Sequence, residues 1–362
     1  ISFSKVQAMD RFNNTASISG YFSHNLFKDW QMRVTVRSNK FEVLNTNAKE
    51  NDIFYGNVIA GMDSFTIRGP FNNIRLRAFN ASAVAKSHIF IPVSTSSGEV
   101  SSYNYVTFKT YGTTQEVVKK KRDKLNINLE ATLNDLVEMT IVLDPAAGDA
   151  ITATGEGTIQ MDIPATNDMR INGLYTINKG TYTFTFPQLK FITRQFVLNQ
   201  GSTIRFNGPF SETTMDVDAT YVTTGRLYDV LSTEDKKLIS GSELADAKMK
   251  QAVNVLLHMK GKLEKPQLTF DLDLPEKHST GTYAYTKLMR INQDDRQKFD
   301  QVGSLLLIGS FIPPEVGGAA TSGALNNLSQ LVSSSTSTYL TNLVNKLTGD
   351  NKTNIDINYQ NY

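Results

Sequence analysis

The chain has 362 residues, of which 40% are hydrophobic and 20% charged, so it is long enough for two average domains or one extended β-domain and is not wholly disordered. Its 37 basic and 35 acidic residues give a formal net charge of +2, which provides no general attraction to nucleic acid, so we expect no nucleic-acid partner. The sequence contains no cysteine, which excludes disulfides, cysteine-ligated metals and thiol chemistry.

The first third of the chain carries a weak β-pattern, in which apolar residues alternate with polar ones around Phe65 and Ile67 and again over residues 74–78. The sequence begins and ends inside such patterns, so we expect it to be an excerpt of a longer protein whose membrane anchor lies outside it. The longest apolar stretch, residues 305–312, is much shorter than the roughly 20 residues that span a bilayer.

The clearest β-pattern lies between Ile151 and Ile163, in the segment ITATGEGTIQMDI. Every second residue there is apolar or glycine, and the residues between them are Thr, Glu, Gln or Asp. Alternation of this length predicts a half-buried strand rather than a helix. Gly155 and Gly157 on the apolar face predict a bend or the close approach of a neighbouring strand.

The same alternation continues to residue 274, and turn-forming residues separate the runs. Asp144-Pro145, Gly148-Asp149 and Asn207-Gly208-Pro209 are typical of turns rather than of catalytic sites. We therefore assign residues 1–275 to a β-domain with roughly 14–18 strands, most of which have one apolar face. A helical pattern at residues 233–252 is compatible with an insertion into the sheet.

Helical periodicity appears mainly near the end of the chain. Asn292 is the predicted N-cap of a helix whose apolar residues are three and four positions apart and which ends at Pro313-Pro314. A second amphipathic helix fits residues 325–347, so we assign residues 290–348 to a helical segment that closes or caps the end of the β-domain. Residues 354–362 return to alternation and predict the start of a further strand.

No motif of an enzyme active site is present: the sequence lacks a GxSxG elbow, a phosphate-binding loop and an HExxH zinc motif. The four histidines lie far apart and have no paired ligand spacing. We therefore predict that the chain is not an enzyme and that it has neither a cofactor nor a metal site.

Two charged patterns have both a plain and a functional interpretation. Asp216 and Asp218 share a strand face, as do Asp271 and Asp273, and such pairs can bind a hard cation. Both pairs fall on the polar side of an alternating strand, which favours simple solvation. The basic run KKKR at residues 119–122 similarly favours a solvated turn or strand edge, with contact to anionic lipid headgroups as the alternative.

Three long segments carry an ordered set of motifs: LDPAAGDAITATGEGTIQMDI (143–163), INGLYTINKGTYTFTF (171–186) and FVLNQGSTIRFNGPF (196–210). They resemble the C-terminal domain of TamB, an envelope protein of the AsmA-like repeating-β-groove group. The LDPxxGD form and the later SLLLIGSFIPP segment (304–314) resemble the Bacteroidetes branch. The resemblance is strong over about residues 110–350 and compatible with the residues before them.

The resemblance implies a mainly β fold, in which a long curled sheet forms an elongated apolar groove, taco-like or solenoid-like, with two C-terminal amphipathic helices. It implies a periplasmic lipid-transfer bridge that shields phospholipid acyl chains between the inner and outer membranes and docks on a TamA or BamA-type outer-membrane barrel. Phospholipids and nascent outer-membrane proteins are the other expected partners, and phospholipid or detergent is the expected bound molecule. The expected location is the periplasm of a Gram-negative envelope, with an inner-membrane anchor before the first residue and the C-terminal end at the outer membrane.

In this interpretation the apolar faces of the strands line the lipid groove, and one late helix contacts the partner or the membrane. The expected lining residues are Leu129, Ile141, Ile151, Ile159, Met161, Ile171, Tyr175, Ile177, Tyr182, Phe184, Phe186, Phe196, Leu198, Ile204, Phe206, Met215, Val217, Leu268, Phe270 and Leu272. The expected contact residues are Leu305, Leu306, Ile308 and Phe311.

Periodicity by itself leaves the architecture and the function open. One-faced strands bury their apolar side in a closed sandwich or barrel as well as in a groove, and the pattern alone favours the closed forms. The alternative function is a scaffold or chaperone for outer-membrane β-barrel proteins that binds their strands by β-augmentation at a free sheet edge. A purely structural solenoid or sandwich with a dry core is the third interpretation.

Overall fold

The computed structural model describes residues 1–51, 54–93, 124–144, 148–164, 170–186, 189–275 and 280–314. In these residues the fold is mainly β, with fifteen strands in one curled, barrel-like sheet and helices late in the chain, which confirms the predicted fold class. The strands are β1 (Ser2–Met9), β2 (Thr15–Asn25), β3 (Lys28–Thr46), β4 (Tyr55–Pro70), β5 (Asn73–Ala83), β6 (Ser87–Pro92), β7 (Lys124–Leu133), β8 (Val137–Asp144), β9 (Asp149–Ile163), β10 (Arg170–Phe186), β11 (Leu189–Leu198), β12 (Thr203–Pro209), β13 (Thr214–Arg226), β14 (Lys250–Lys262) and β15 (Gln267–Asp273).

The α-helices of the described residues are α1 (Asp235–Leu238), α2 (Gly241–Lys248), α3 (Tyr283–Gln293) and α4 (Asp295–Ile308), and two short 3-10 helices lie at Phe210–Glu212 and Leu227–Val230. Helices α1 and α2 lie between β13 and β14, within the stretch whose helical pattern is compatible with an insertion. The predicted second amphipathic helix, the predicted final strand and the KKKR run lie outside the described residues.

Strand β9 shows why a segment of alternating apolar and polar residues forms a strand of this sheet. Its apolar residues Ile151, Ala153 and Ile159 are 1%, 2% and 9% exposed, whereas Glu156 and Gln160 on the opposite face are exposed to solvent. The strand buries one face and solvates the other, which confirms the half-buried strand predicted from the sequence.

The strands pair in an order that mostly follows the chain, from β1 through β5, β7, β9, β10, β11, β13 and β14 to β15. Three pairs of strands, β5 with β6, β7 with β8, and β11 with β12, each flank one long neighbour and act as a single broken line, which leaves twelve lines. At about 4.8 Å per line the sheet measures roughly 50 Å across its strands. The β5–β7 and β6–β8 pairs are parallel, and the other pairs are antiparallel.

The main hydrophobic core occupies only part of this sheet. Buried side chains from β6, from β8 to β15 and from the helices form one cluster, whereas the strands β1 to β5 contribute no buried residue to it. The described sheet therefore has a packed half, toward β15, and an open half, toward β1.

The late helical region begins earlier than the sequence predicts. α3 starts after Thr282, whose hydroxyl accepts a backbone N–H of the first turn. Asp294 caps α4 by accepting two backbone N–H groups, so the prediction of Asn292 as the N-cap is wrong. The Asn292 side chain is instead hydrogen-bonded to both backbone groups of Leu272 in β15, at 2.9 and 3.1 Å.

Candidate functional site

The face of the sheet whose side chains enter the core, here called the inner face, carries a continuous apolar row. Residues opposite one another in register lie on the same face, so the row can be followed from strand to strand. It crosses eight neighbouring lines through Val6, Ile18, Val36, Phe65, Ala78, Leu129, Met161 and Ile171.

Exposure changes along this row. Val6 on β1 is 48% exposed, Val36 and Phe65 are partly exposed, and the small Ala78 is 6% exposed, whereas Ile171 on β10 is 2% exposed. The row therefore leaves an open apolar surface and enters the packed core between β9 and β10. No polar side chain interrupts it along these eight lines.

The residues expected to line a groove fall mostly in the packed half. Those buried to 9% exposure or less are Ile141, Ile151, Ile159, Ile171, Tyr175, Ile177, Tyr182, Phe196, Leu198, Ile204, Phe206, Met215, Val217, Phe270 and Leu272. Those partly exposed are Leu129, Met161, Phe184 and Leu268. The side chain of Phe186 lies outside the described part of the chain.

Helix α4 covers the inner face of the packed half. Near its start, the Lys298 ammonium lies 3.0 Å from the Asp271 carboxylate on β15. At its end, the Arg194 guanidinium of β11 donates to the carbonyls of Leu306 and Leu307, at 2.6 and 3.4 Å, as a cation does at a helix C-terminus. The helix is thus fixed by polar contacts at both ends, from β15 to β11.

The chain beyond α4 folds back and completes this cover. The Gln301 amide is hydrogen-bonded to both the N–H and the C=O of Ile312, at 3.0 and 2.7 Å, inside the core. The Phe311 ring occupies the space above Gly225 of β13, where an added Cβ would lie 2.7 Å from the ring. Only a glycine at this position gives the ring room.

The four residues expected to contact a partner or a membrane are placed in two different environments. Leu305, Leu306 and Phe311 are at most 3% exposed and belong to the core, whereas Ile308 is 47% exposed. In this arrangement only Ile308 is accessible, and the other three reach an outside molecule only if α4 leaves the sheet.

Three of the four carboxylates considered for a cation, Asp216, Asp218 and Asp271, are in contact with basic side chains on the outer face. His258 lies between Asp218 and Asp271, at 2.7 and 3.6 Å, and Lys260 lies 3.4 Å from Asp216. Among the described residues, no group of three or more His, Asp or Glu side chains is arranged to hold a metal ion.

The predicted lining residues begin at Leu129, although most of the open half lies before it in the chain. The signal was present in β3, where Met32, Val34 and Val36 alternate with polar residues. It is weaker than in β9 because the alternation is short and is interrupted by bulges between β3 and β4.

The family model of the TamB C-terminal domain matches residues 4–362. The chain belongs to the TamB C-terminal domain family. Membership gives it a role in the translocation and assembly module, whose outer-membrane partner is of the TamA type, and a Gram-negative envelope location. Comparison with curated proteins and with solved structures gives no significant match. Within the described residues of this TamB-family chain, no helix is long and apolar enough to cross a membrane.

Proposed function

We propose that the open half of the inner face is an apolar groove that shields phospholipid acyl chains, as one segment of a periplasmic lipid-transfer bridge. The observation that carries this function is the unbroken row from Val6 to Met161, which lies outside the main core. Apart from the small, buried Ala78, its side chains stay at least partly exposed. A soluble protein rarely leaves such a surface without a ligand for it.

The free-energy cost of exposing a lipid to water favours a continuous apolar row over a single pocket. A two-tailed lipid carries about 30 methylenes, and their exposure to water costs about 0.8 kcal/mol each, or roughly 25 kcal/mol in total. A moving lipid needs apolar contact at every step. The described sheet, roughly 50 Å across its strands, supplies a segment of such a path and not the whole distance between two membranes.

We further propose that the chain is held in the periplasm by an inner-membrane anchor that precedes it and that it docks on a TamA or BamA-type barrel at its C-terminal end. Family membership supports this orientation.

The packed half sets a condition on this function. Helix α4 and residues 309–312 cover the inner face there, so a lipid that enters at β1 meets a closed core beyond β9. The lining residues of the packed core, which include Ile141, Ile151 and most of those from Ile171 onward, take part in transfer only when α4 moves away. The proposed groove of the observed conformation therefore extends from β1 to β9.

Charge placed in the open half tests the groove. We expect Val36→Asp and Phe65→Asp, alone and together, to lower the amount of phospholipid retained by the purified protein at least about tenfold, because a carboxylate in an acyl-chain path costs several kcal/mol to desolvate. The measurement is native mass spectrometry after exposure to phospholipid, with thermal melting to confirm folding.

The matched controls are Thr35→Asp and Thr66→Asp, which lie next to the test positions on the same strands and are opposite one another on the outer face. They should retain phospholipid like the wild type. If the inner-face and outer-face variants are all folded and retain phospholipid equally, the groove does not lie on the inner face.

The second candidate function, a scaffold that binds outer-membrane strands at a sheet edge, is less well supported at β15. Asn292 occupies the backbone N–H and C=O of Leu272, and Lys298 is paired with Asp271 on the same strand. An added strand would have to displace both side chains. Binding of unfolded outer-membrane strands by a protein that retains no phospholipid would nevertheless favour the scaffold.

A further inference from the structure

The turn between β2 and β3 presents two large apolar residues to solvent. Asn25 pairs with Lys28, so Leu26 and Phe27 form a two-residue loop, and they are 85% and 78% exposed. Both have positive φ, at 48° and 61°, although neither is glycine. Two-residue loops with this backbone strongly prefer Asn-Gly, so neither local conformation nor burial accounts for Leu and Phe here.

An unbroken chain of aromatic rings connects this tip with the inner face. The Phe27 ring stacks on His24 at 4.6 Å, and His24 lies 4.5 Å from Trp30. From Trp30 the contacts continue at 5.7–6.2 Å through the exposed Phe71 of the β4–β5 turn. The last two rings of the chain are Phe22 and Phe3, whose register places them on the inner face.

Three arginines lie side by side on the outer face at the same end of the sheet. Arg33 pairs with Arg68, and Arg68 pairs with Arg75, so three like charges are directly opposite one another on neighbouring strands. All three are exposed, and no carboxylate pairs with them among the residues that the structure describes. Such an arrangement is destabilising by itself and is relieved by an anion.

We propose that this end of the sheet, formed by Leu26, Phe27, Trp30, Phe71 and the three arginines, docks on an anionic phospholipid bilayer. The apolar tip enters the boundary between headgroups and acyl chains, Trp30 lies at the interface, and the guanidinium groups face the lipid phosphates. An acidic protein would account for the arginines but not for the exposed tip or for the ring chain behind it.

The spacing along the hairpin fits a surface contact rather than a membrane span. Arg33 follows Phe27 by six residues, or about 20 Å of extended strand, and a tilted hairpin shortens the distance between them along the bilayer normal. The field of an anionic surface reaches about 10 Å beyond the phosphates. The proposed docking does not depend on acyl-chain transfer in the groove. A chain that acts as a scaffold for outer-membrane proteins would use the same contact with the bilayer.

Flotation with lipid vesicles tests the tip. We expect the wild type to float with vesicles of phosphatidylcholine and phosphatidylglycerol, and Leu26→Asn with Phe27→Gly to lower that binding at least about tenfold. Because Asn-Gly suits this turn better than Leu-Phe, the melting temperature of the double variant should stay the same or rise. A wild type that does not float, or a double variant that floats equally well, overturns the proposal.

The arginines are tested by Arg68→Gln with Arg75→Gln against a control that removes two other exposed arginines, Arg170→Gln with Arg205→Gln. The first pair should abolish the preference for vesicles with phosphatidylglycerol over phosphatidylcholine alone, and the control should keep it. An equal loss in both variants would assign the effect to net charge and overturn the proposed site. Binding of polyglutamate by a wild type that does not float would overturn it in favour of an acidic protein partner.

Discussion

Asp149 begins β9 with its carboxylate turned into the sheet, where it accepts the backbone N–H of Thr185 at 2.7 Å. Burial raises the pKa of Asp149 to about 6, and the nearby charge of Asp144 acts in the same direction, while the hydrogen bonds from Thr185 lower the pKa by less. The residue closes the LDPxxGD segment, so the turn predicted from the sequence also carries a side chain that joins β9 to the end of β10.

This half-buried carboxyl makes stability depend on pH. Between about pH 4 and pH 6 the unfolded chain has lost the proton that the folded chain still holds, so the free energy of unfolding falls as the pH rises, by roughly 2–3 kcal/mol in total. Asp149→Asn should abolish this decline while keeping an acceptor for Thr185. Urea unfolding of both proteins across this range measures the difference. Asp144→Asn, at an exposed neighbour, should keep most of the decline, and parallel profiles for wild type and Asp149→Asn would contradict the prediction.

The glycines of β9 show how far a sequence pattern specifies local geometry. Gly157 is directly opposite Tyr175, and a Cβ at Gly157 would collide with the carbonyl oxygen of Leu174. The Tyr175 hydroxyl reaches the carbonyl of Ala153 at 3.2 Å, which satisfies it in the core. The sequence predicts the close approach, because glycine on an apolar strand face has few other uses, but it does not identify the partner.

At the scale of the element, helix α4 has one side that is buried against the sheet and one side that is exposed to solvent. Leu306 is 2% exposed against the sheet, and Ile308, two residues later, is 47% exposed. Leu306→Asp should therefore lower the free energy of unfolding by roughly 3–5 kcal/mol, because it buries a charge in place of an apolar side chain. Ile308→Asp should cost about 1 kcal/mol or less.

Both substitutions put the same charge in the last turn of the helix, so Ile308→Asp is the control for the helix dipole. Urea unfolding followed by far-UV circular dichroism measures both, because the single tryptophan, Trp30, reports only on the open half. Similar losses of stability in the two variants would mean that α4 does not pack on the sheet as described.

The helix also marks the limit of prediction from the sequence. Periodicity shows that this segment has one apolar side, but it does not show what that side covers, because Arg194, Asp271 and Gly225, which define its seat, are far away in the sequence. The prediction of Asn292 as the N-cap is wrong for the same reason. Asn292 and Asp294 are equally good caps locally, and the long-range contact of Asn292 with Leu272 decides between them.

Strand topology also has one part that the sequence predicts and another part that it does not. Alternation predicts the strands and their apolar faces, because each strand needs only its own residues for that. The parallel pairing of β5 with β7, and of β6 with β8, depends on which chain segments meet. Side chains alternate between the two faces of a strand in either case, so the alternation does not give the direction of the neighbour. The division into an open and a packed half likewise arises from the helices and not from the strands.

At the scale of the whole molecule, the two halves of the sheet differ in the interactions that stabilise them. The packed half joins β8 to β15 and the helices in one core, in which Ile177, Val217 and Leu257 are fully buried. The open half depends on strand pairing, on a few buried and mostly small side chains such as Ala16 and Ala60, and on partly exposed side chains. Exposed apolar side chains contribute little to stability, so the open half should open locally at a lower free energy than the packed half.

Hydrogen exchange followed by mass spectrometry measures this difference and its response to lipid. Without lipid, amides of β13 and β14 should exchange much more slowly than amides of β2 to β4, because the former open only when the core unfolds. Added phospholipid should slow exchange in β2 to β5, since a ligand that binds the folded open half stabilises it by mass action, and should leave β13 and β14 unchanged. The Val36→Asp and Phe65→Asp double variant, with its groove blocked, is the control and should show no slowing. Slowing confined to β13 and β14 would instead mean that lipid enters beneath α4, and that the open half is not the site at which acyl chains bind.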